Sequence, residues 1–162
     1  MRNLNDKIPG APNFRYGEFV KSMTAIRHGI DNIPTDENVW LSIEKLAVNV
    51  LQPIRNQFGR LRIESGYRCP ELNVKIGGSS TSNHCRGEAA DIEPVESNIT
   101  LIEIFNFIVG KLEYRNTIAE YFPNGWIHID YREYANSKII KLKDTTYHYA
   151  KVAPEFVNKL YA

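Results

Sequence analysis

The chain has 162 residues, a formal net charge of +1, 43% hydrophobic residues and 24% charged ones. That length suits one domain with a core of its own, and the near-neutral balance argues against a disordered acidic chain and against a basic nucleic-acid-binding surface. No apolar run approaches the roughly 20 residues of a membrane helix, and no basic patch precedes an apolar stretch at the start, so the expectation is cytoplasmic synthesis without a signal peptide or membrane span.

Residues 1–162 read as a single domain in which the polar, proline-bearing residues 1–13 form an extended arm. Gly17 to Ser22 predicts a short helix, and Arg27 to Asn32 a turn into Pro34. Thr35-Asp36-Glu37 supplies a cap and an acidic first turn for a helix over about 36–57. Its apolar positions Val39, Ile43, Leu46, Val50 and Ile54 recur at spacings of three and four. Pro53 predicts a kink or break near residue 52, because proline lacks the N–H and crowds the preceding turn. Leu61 to Ser65 alternates like a strand, and Gly66 to Pro70 turns into a short helix at about 70–76.

Gly77-Gly78-Ser79-Ser80 is a flexible loop; it lacks the lysine and the strand-to-helix setting of a phosphate cradle. A strand follows at about 88–93, then a helix from Asn98-Ile99-Thr100 to about 112, whose Leu101, Ile104, Phe105, Ile108 and Val109 form a packing stripe. Thr117 to Tyr121 and Trp126 to Asp130 read as a hairpin around Pro123-Asn124-Gly125. A three-residue loop with Gly125 left-handed pairs Glu120 with His128; a two-residue loop pairs Tyr121 with His128 and turns Glu120 to the other face. The first register is preferred, since it leaves Ile127 and Ile129 to the core. Further strands are expected at Lys138 to Lys143 and Thr145 to Tyr149, and a helical turn from Pro154. The class is therefore α+β, with an antiparallel sheet and helices packed on one face.

The chemistry concentrates in Ser82-Asn83-His84-Cys85-Arg86-Gly87-Glu88-Ala89-Ala90-Asp91 and in Trp126-Ile127-His128-Ile129-Asp130. Asp91 stands seven positions after His84, which is wrong for one helix face, so the pair must come from a loop that runs into a strand. With His128 these residues make three zinc-ligand types, the number that leaves a fourth position to water or substrate. Cys69 and Cys85 are expected to be reduced, with Cys85 a bystander beside His84. His28 and His148 have no partner at ligand spacing and read as structural or rim residues.

Ser82-x-His84-x-x-Gly87-x-Ala89-x-Asp91 followed by Trp126-x-His128 resembles the signature of zinc D-alanyl-D-alanine carboxypeptidases, phage L-alanyl-D-glutamate endopeptidases and vancomycin-resistance dipeptidases, with the hedgehog domain sharing their fold. The likeness extends to His28-Gly29-Ile30-Asp31-Asn32-Ile33-Pro34, Leu51-Gln52-Pro53-Ile54-Arg55, Ser65-Gly66-Tyr67-Arg68-Cys69-Pro70-Glu71-Leu72-Asn73 and Gly77-Gly78-Ser79, over roughly residues 13 to 131. It implies a hedgehog-like peptidase fold and a monomeric enzyme with one zinc per chain on His84, Asp91 and His128. The implied reaction is hydrolysis of a peptidoglycan stem-peptide bond by a phage lysin-type enzyme, acting on the wall after holin release or from a virion.

Arg68 has the charge and donors to hold an oxyanion or a substrate carboxylate and matches the family arginine of the Ser-Gly-Tyr-Arg turn; Ser82 is expected to bond substrate or brace the loop, and Asp130 to bind substrate. Relatives often carry the general base three residues before the last histidine, or a histidine two before it; here Gly125 and Trp126 stand there. Glu120 is the candidate base, with Asp130 and Glu93 in reserve. The competing reading is a non-catalytic zinc module of the same fold.

Overall fold

Three apolar side chains decide the fate of the N-terminal segment. Ile8, Ala11 and Phe14 are at most 1% exposed, held in the hairpin of β1 (Lys7–Ile8) and β2 (Ala11–Arg15). The extended arm expected over 1–13 is thus corrected to a hairpin seated in the core: burying a side chain such as Phe or Ile is worth roughly 1.5–3 kcal/mol, which an arm in water would forgo. The computed structural model describes residues 2–134, 139–143 and 149–151. His148, most of the strand expected at Thr145 to Tyr149 and the turn expected from Pro154 lie outside the described residues.

Helix α1 spans Tyr16–Val20, overlapping the short helix expected at Gly17 to Ser22, and α2 spans Met23–His28, for which no helix was expected and whose last two residues begin the turn expected at Arg27 to Asn32. The missed signals are caps: Ser22 Oγ accepts from the Ala25 N–H at 3.2 Å, and Gly29 ends the helix in the left-handed conformation with φ 64°. The long helix predicted next is realised in three pieces. These are α3 (Glu37–Leu46), capped by Asp36, a π-helical turn over Ala47–Leu51, and α4 (Gln52–Phe58). Pro53 cannot donate to the preceding turn, so the hydrogen-bond ladder is re-laid just upstream of it, which is where the break was predicted.

Next come β3 (Leu61–Ser65), α5 (Pro70–Lys75), β4 (Ala89–Pro94) and α6 (Leu101–Lys111). Thr100 and Glu103 form a reciprocal capping box on α6, which buries Leu101, Ile104, Phe105 and Ile108. Strands β5 (Asn116–Glu120) and β6 (Trp126–Asp130) complete the hairpin, and β7 (Ile139–Lys143) and β8 (Tyr149–Lys151) extend the sheet. The six strands lie in the order β3-β4-β6-β5-β7-β8, antiparallel throughout except where β7 pairs parallel with β5. Among the described residues, no helix is long and apolar enough to cross a membrane.

Alternation along the central strands separates core from site. Ala90, Ile92, Ala119, Ile127 and Ile129 turn one way and are at most 2% exposed, joining a cluster that also holds Trp40, Ile43 and Phe105. Asp91 and His128, paired across β4 and β6, share the opposite face.

The hairpin register differs from both expectations. Glu120 pairs with Trp126 and Ile118 with His128, so residues 121–125 form the loop. Pro123 has no N–H for the ladder, Tyr121 takes φ 53°, and its carbonyl accepts from the Asn124 N–H at 3.3 Å, which closes the loop early. Gly125 is not left-handed; it is needed because a Cβ there would lie 1.9 Å from the Glu120 carbonyl oxygen. A two-place shift conserves faces, so Glu120 stays on the site face, one pair farther along than expected.

Gly66 links this sheet to the N-terminal helices. A Cβ there would meet the Phe19 carbonyl oxygen at 2.4 Å, the same oxygen that accepts from the Tyr67 N–H at 2.6 Å. Gly66→Ala is therefore expected to cost about 1–3 kcal/mol of stability, read as a lower urea midpoint; an unchanged midpoint would show that α1 and β3 part without penalty.

Candidate metal centre

His84 stands on a single 3-10 turn, Asn83–Arg86, that Gly87 ends with φ 69°. A Cβ at Gly87 would lie 2.6 Å from the Val39 carbonyl oxygen, so glycine serves both the left-handed turn and the close approach to α3. The turn is pinned by the Arg68 N–H, which donates to the His84 carbonyl at 3.2 Å. His84 Nδ1 lies 2.7 Å from the Gly66 carbonyl oxygen. A carbonyl can only accept, so Nδ1 carries the ring proton and Nε2 presents a lone pair.

That lone pair meets two others. His84 Nε2 is 3.2 Å from His128 Nδ1 and 3.5 Å from Asp91 Oδ1, and His128 Nδ1 is 2.9 Å from Asp91 Oδ1. Zinc bonds nitrogen and oxygen at about 2.0–2.2 Å with tetrahedral geometry, which puts neighbouring ligand atoms about 3.3–3.6 Å apart. Three donor atoms on a triangle of 2.9 to 3.5 Å, with at most one proton among them, are a donor set that fits this ion.

The electrostatics agree. Burial pushes the Asp91 carboxyl up, but its interactions with the His128 and His84 rings outweigh it and hold the group well below the usual carboxylate range. Burial opposes charge on His128, yet the Asp130 and Asp91 carboxylates push its pKa up to about 9. A divalent cation can take over this charge pair by displacing the His128 proton.

Around the cluster, Arg68 donates from Nη2 to Asp91 Oδ2 at 2.9 Å and from Nε to Ser65 Oγ at 2.8 Å. Arg68 also lines a cleft of about 470 Å³ with Lys21, Ser65, Tyr67 and Leu72. Ser82 starts the 3-10 turn, half-buried, its carbonyl accepting from the Cys85 N–H at 3.2 Å. Glu120 is half-buried on the same sheet face as His128, diagonal to it.

Asp130 departs from expectation. It was read as a substrate-binding residue and a reserve base, but it is 1% exposed and accepts from the Asn116 backbone N–H at 2.9 Å, from Asn116 Nδ2 at 2.7 Å and from Asn83 Nδ2. A carboxylate so enclosed cannot reach substrate. Glu93, the other reserve, is bound by Arg62 Nη2 at 2.6 Å. His28 sits exposed at the end of α2, outside the cluster. Both cysteines are free thiols; Cys69 Sγ caps α5 by accepting from the Leu72 N–H at 3.4 Å. Sequence reasoning missed Asn83, Asn116 and the Gly66 carbonyl, and only the position of Asn83 beside His84 hinted at any of them.

The family model described as Peptidase M15 matches residues 12–130. No curated protein matches the chain.

Zinc at 100 times its dissociation constant is expected to stabilise the fold by about 2.7 kcal/mol, visible as a raised melting temperature. His84→Ala and Asp91→Asn should abolish that rise; a rise that survives both would place the ion elsewhere.

Proposed function

The chain belongs to the Peptidase M15 family of zinc-dependent peptidases, and from that premise we propose that it hydrolyses an amide bond in peptidoglycan stem peptides, as a phage lysin-type enzyme. The observation that carries the reading is the triangle of His84 Nε2, Asp91 Oδ1 and His128 Nδ1, among the described residues three protein donors where a closed structural zinc site would have four. A zinc ion held there supplies the Lewis acidity that polarises a scissile carbonyl and acidifies water.

The remaining work falls to side chains of this protein. Glu120 is the proposed general base and acid: it takes a proton from the attacking water and returns it to the leaving amine nitrogen. Its diagonal place relative to His128 corresponds to a separation of about 7–8 Å, within reach of a long side chain. Arg68 has five N–H donors and uses one each on Ser65 and Asp91, which leaves donors for an oxyanion or a substrate carboxylate. Ser82 is proposed to bond substrate or brace the loop. The enzyme is proposed to act as a monomer with one zinc, reaching the cell wall after holin release or as part of a virion.

Release of soluble fragments from purified murein tests this. Chelation should stop release and zinc restore it, while Glu120→Gln should lower kcat by about 10²–10⁴-fold with zinc still bound; a Glu120→Gln enzyme of full rate removes that residue from the mechanism. Arg68→Ala should raise KM or lower kcat without unfolding the chain. The masses of the fragments identify the bond, endopeptidase or D-Ala-D-Ala carboxypeptidase. A folded, zinc-loaded protein that leaves murein intact would favour the non-catalytic module instead.

A further inference from the structure

Asp130 is among the most deeply buried charges near the centre, and no step above uses it. Its Oδ1 accepts from the Asn116 N–H at 2.9 Å; its Oδ2 accepts from Asn116 Nδ2 at 2.7 Å and from Asn83 Nδ2, and lies 3.5 Å from His128 Nε2. These partners come from three segments. Asn116 begins β5, His128 is on β6 with Asp130 itself, and Asn83 opens the 3-10 turn and directly precedes His84. Asn83 is gripped from its other side, since its Oδ1 accepts from Arg115 Nη1 at 3.0 Å and from Arg86 Nη2.

We propose that Asp130 is a positioning residue that tethers both histidines of the centre, His128 through its ring and His84 through Asn83, and so sets the affinity for zinc. The inference rests on reading His84, Asp91 and His128 as the zinc site. The imidazole of His128 turns Nδ1 toward Asp91 and His84, so its Nε2 must point away, and Asp130 Oδ2 is the acceptor waiting there. Such outer carboxylates fix ring orientation and make the ligating nitrogen more basic. The tether to Asn83 does the same for His84 by holding the turn against β6. One buried carboxylate thereby joins two ligands that are 44 positions apart in the chain.

Hydrogen-bond polarity supplies the test. In Asp130→Asn the oxygen that faces the Asn116 N–H is kept, but an amide nitrogen now faces both Asn83 Nδ2 and the His128 Nε2–H, donor against donor. Asn116 can turn its own amide to accept; Asn83 cannot without giving up Arg115 and Arg86. The double variant Asn83→Asp/Asp130→Asn reverses the polarity: the new amide donates to the new carboxylate, whose other oxygen still accepts from both arginines.

Zinc affinity, read by competition with a chromophoric chelator and without substrate, should fall about 10–100-fold in Asp130→Asn and recover in the double variant the share carried through Asn83, while the share carried through His128, whose Nε2–H still faces an amide nitrogen, stays lost. Asn83→Ala, which leaves the bonds to Asn116 in place, should weaken zinc less than Asp130→Asn, and it serves as the readout if Asp130→Asn does not fold. Unchanged affinity in a folded Asp130→Asn protein overturns the proposal. So does a double variant as weak as Asp130→Asn, or an Asn83→Ala protein of wild-type affinity. Because no peptide is present, failure to cleave murein leaves this result untouched, and loss of the tether would leave the reaction assignment standing.

Discussion

Three ligand atoms held within 3.5 Å of one another are the constraint around which this protein is arranged. The His128 proton can join that ring to Asp91, but the bare Nε2 of His84 has no proton to offer either neighbour and would not stay beside them unaided. All three are held by covalent and packing geometry instead. Asp91 and His128 are cross-strand partners on β4 and β6, so their Cβ atoms are fixed about 4.5–5.5 Å apart by the ladder. His84 comes from above on a turn stapled to the sheet by main-chain bonds, and its ring is aimed by the Gly66 carbonyl.

The small residues around the motif follow from that arrangement. Gly87 lets the turn pass within backbone contact of α3 before the chain enters β4, and Gly66 lets the strand before Arg68 lie against Phe19. Ala89 and Ala90, at most 1% exposed, keep β4 thin where the neighbouring strand and the core press on it. Arg68 serves this frame as well as the proposed chemistry: its main-chain N–H holds the turn of His84 while its guanidinium holds the carboxylate of Asp91. A side chain bonded to a ligand is pre-organised at the site, so substrate would meet it already in place.

What could be read from the sequence was what local periodicity and capping encode. Strand β3 falls on Leu61–Ser65 as alternation predicted, the Thr100 box opens α6, and Pro53 marks the disturbed helix to within a turn. The motif spacing correctly demanded a loop-to-strand path for His84 and Asp91. What escaped were features decided at a distance. The short hairpin at 7–15 exists because a core built by later elements has room for Ile8 and Phe14. The register of β5 against β6 turned on Tyr121 accepting a left-handed backbone, which a bulky residue rarely does. Alternation put Asp130 on the site face, but the Asn83 turn covers that part of the face and converts an expected contact with substrate into a buried brace.

On the proposed reading, in which Glu120 is the base, the register also bears on where that base sits relative to the last histidine. Position 126, two before His128, is where some relatives place a histidine, and here it holds tryptophan. Its direct cross-strand partner is Glu120. Opposite residues share a face with their Cβ atoms about 4.5–5.5 Å apart, so on the proposed reading the proton-carrying group has moved across one ladder rung and remains over the same patch of sheet. Trp126 itself packs against Tyr121, their ring centroids 4.9 Å apart and the planes tilted at 45°. The pairing expected from the sequence would have set Glu120 directly against His128; the observed one sets it two residues along the neighbouring strand on the same face of the sheet.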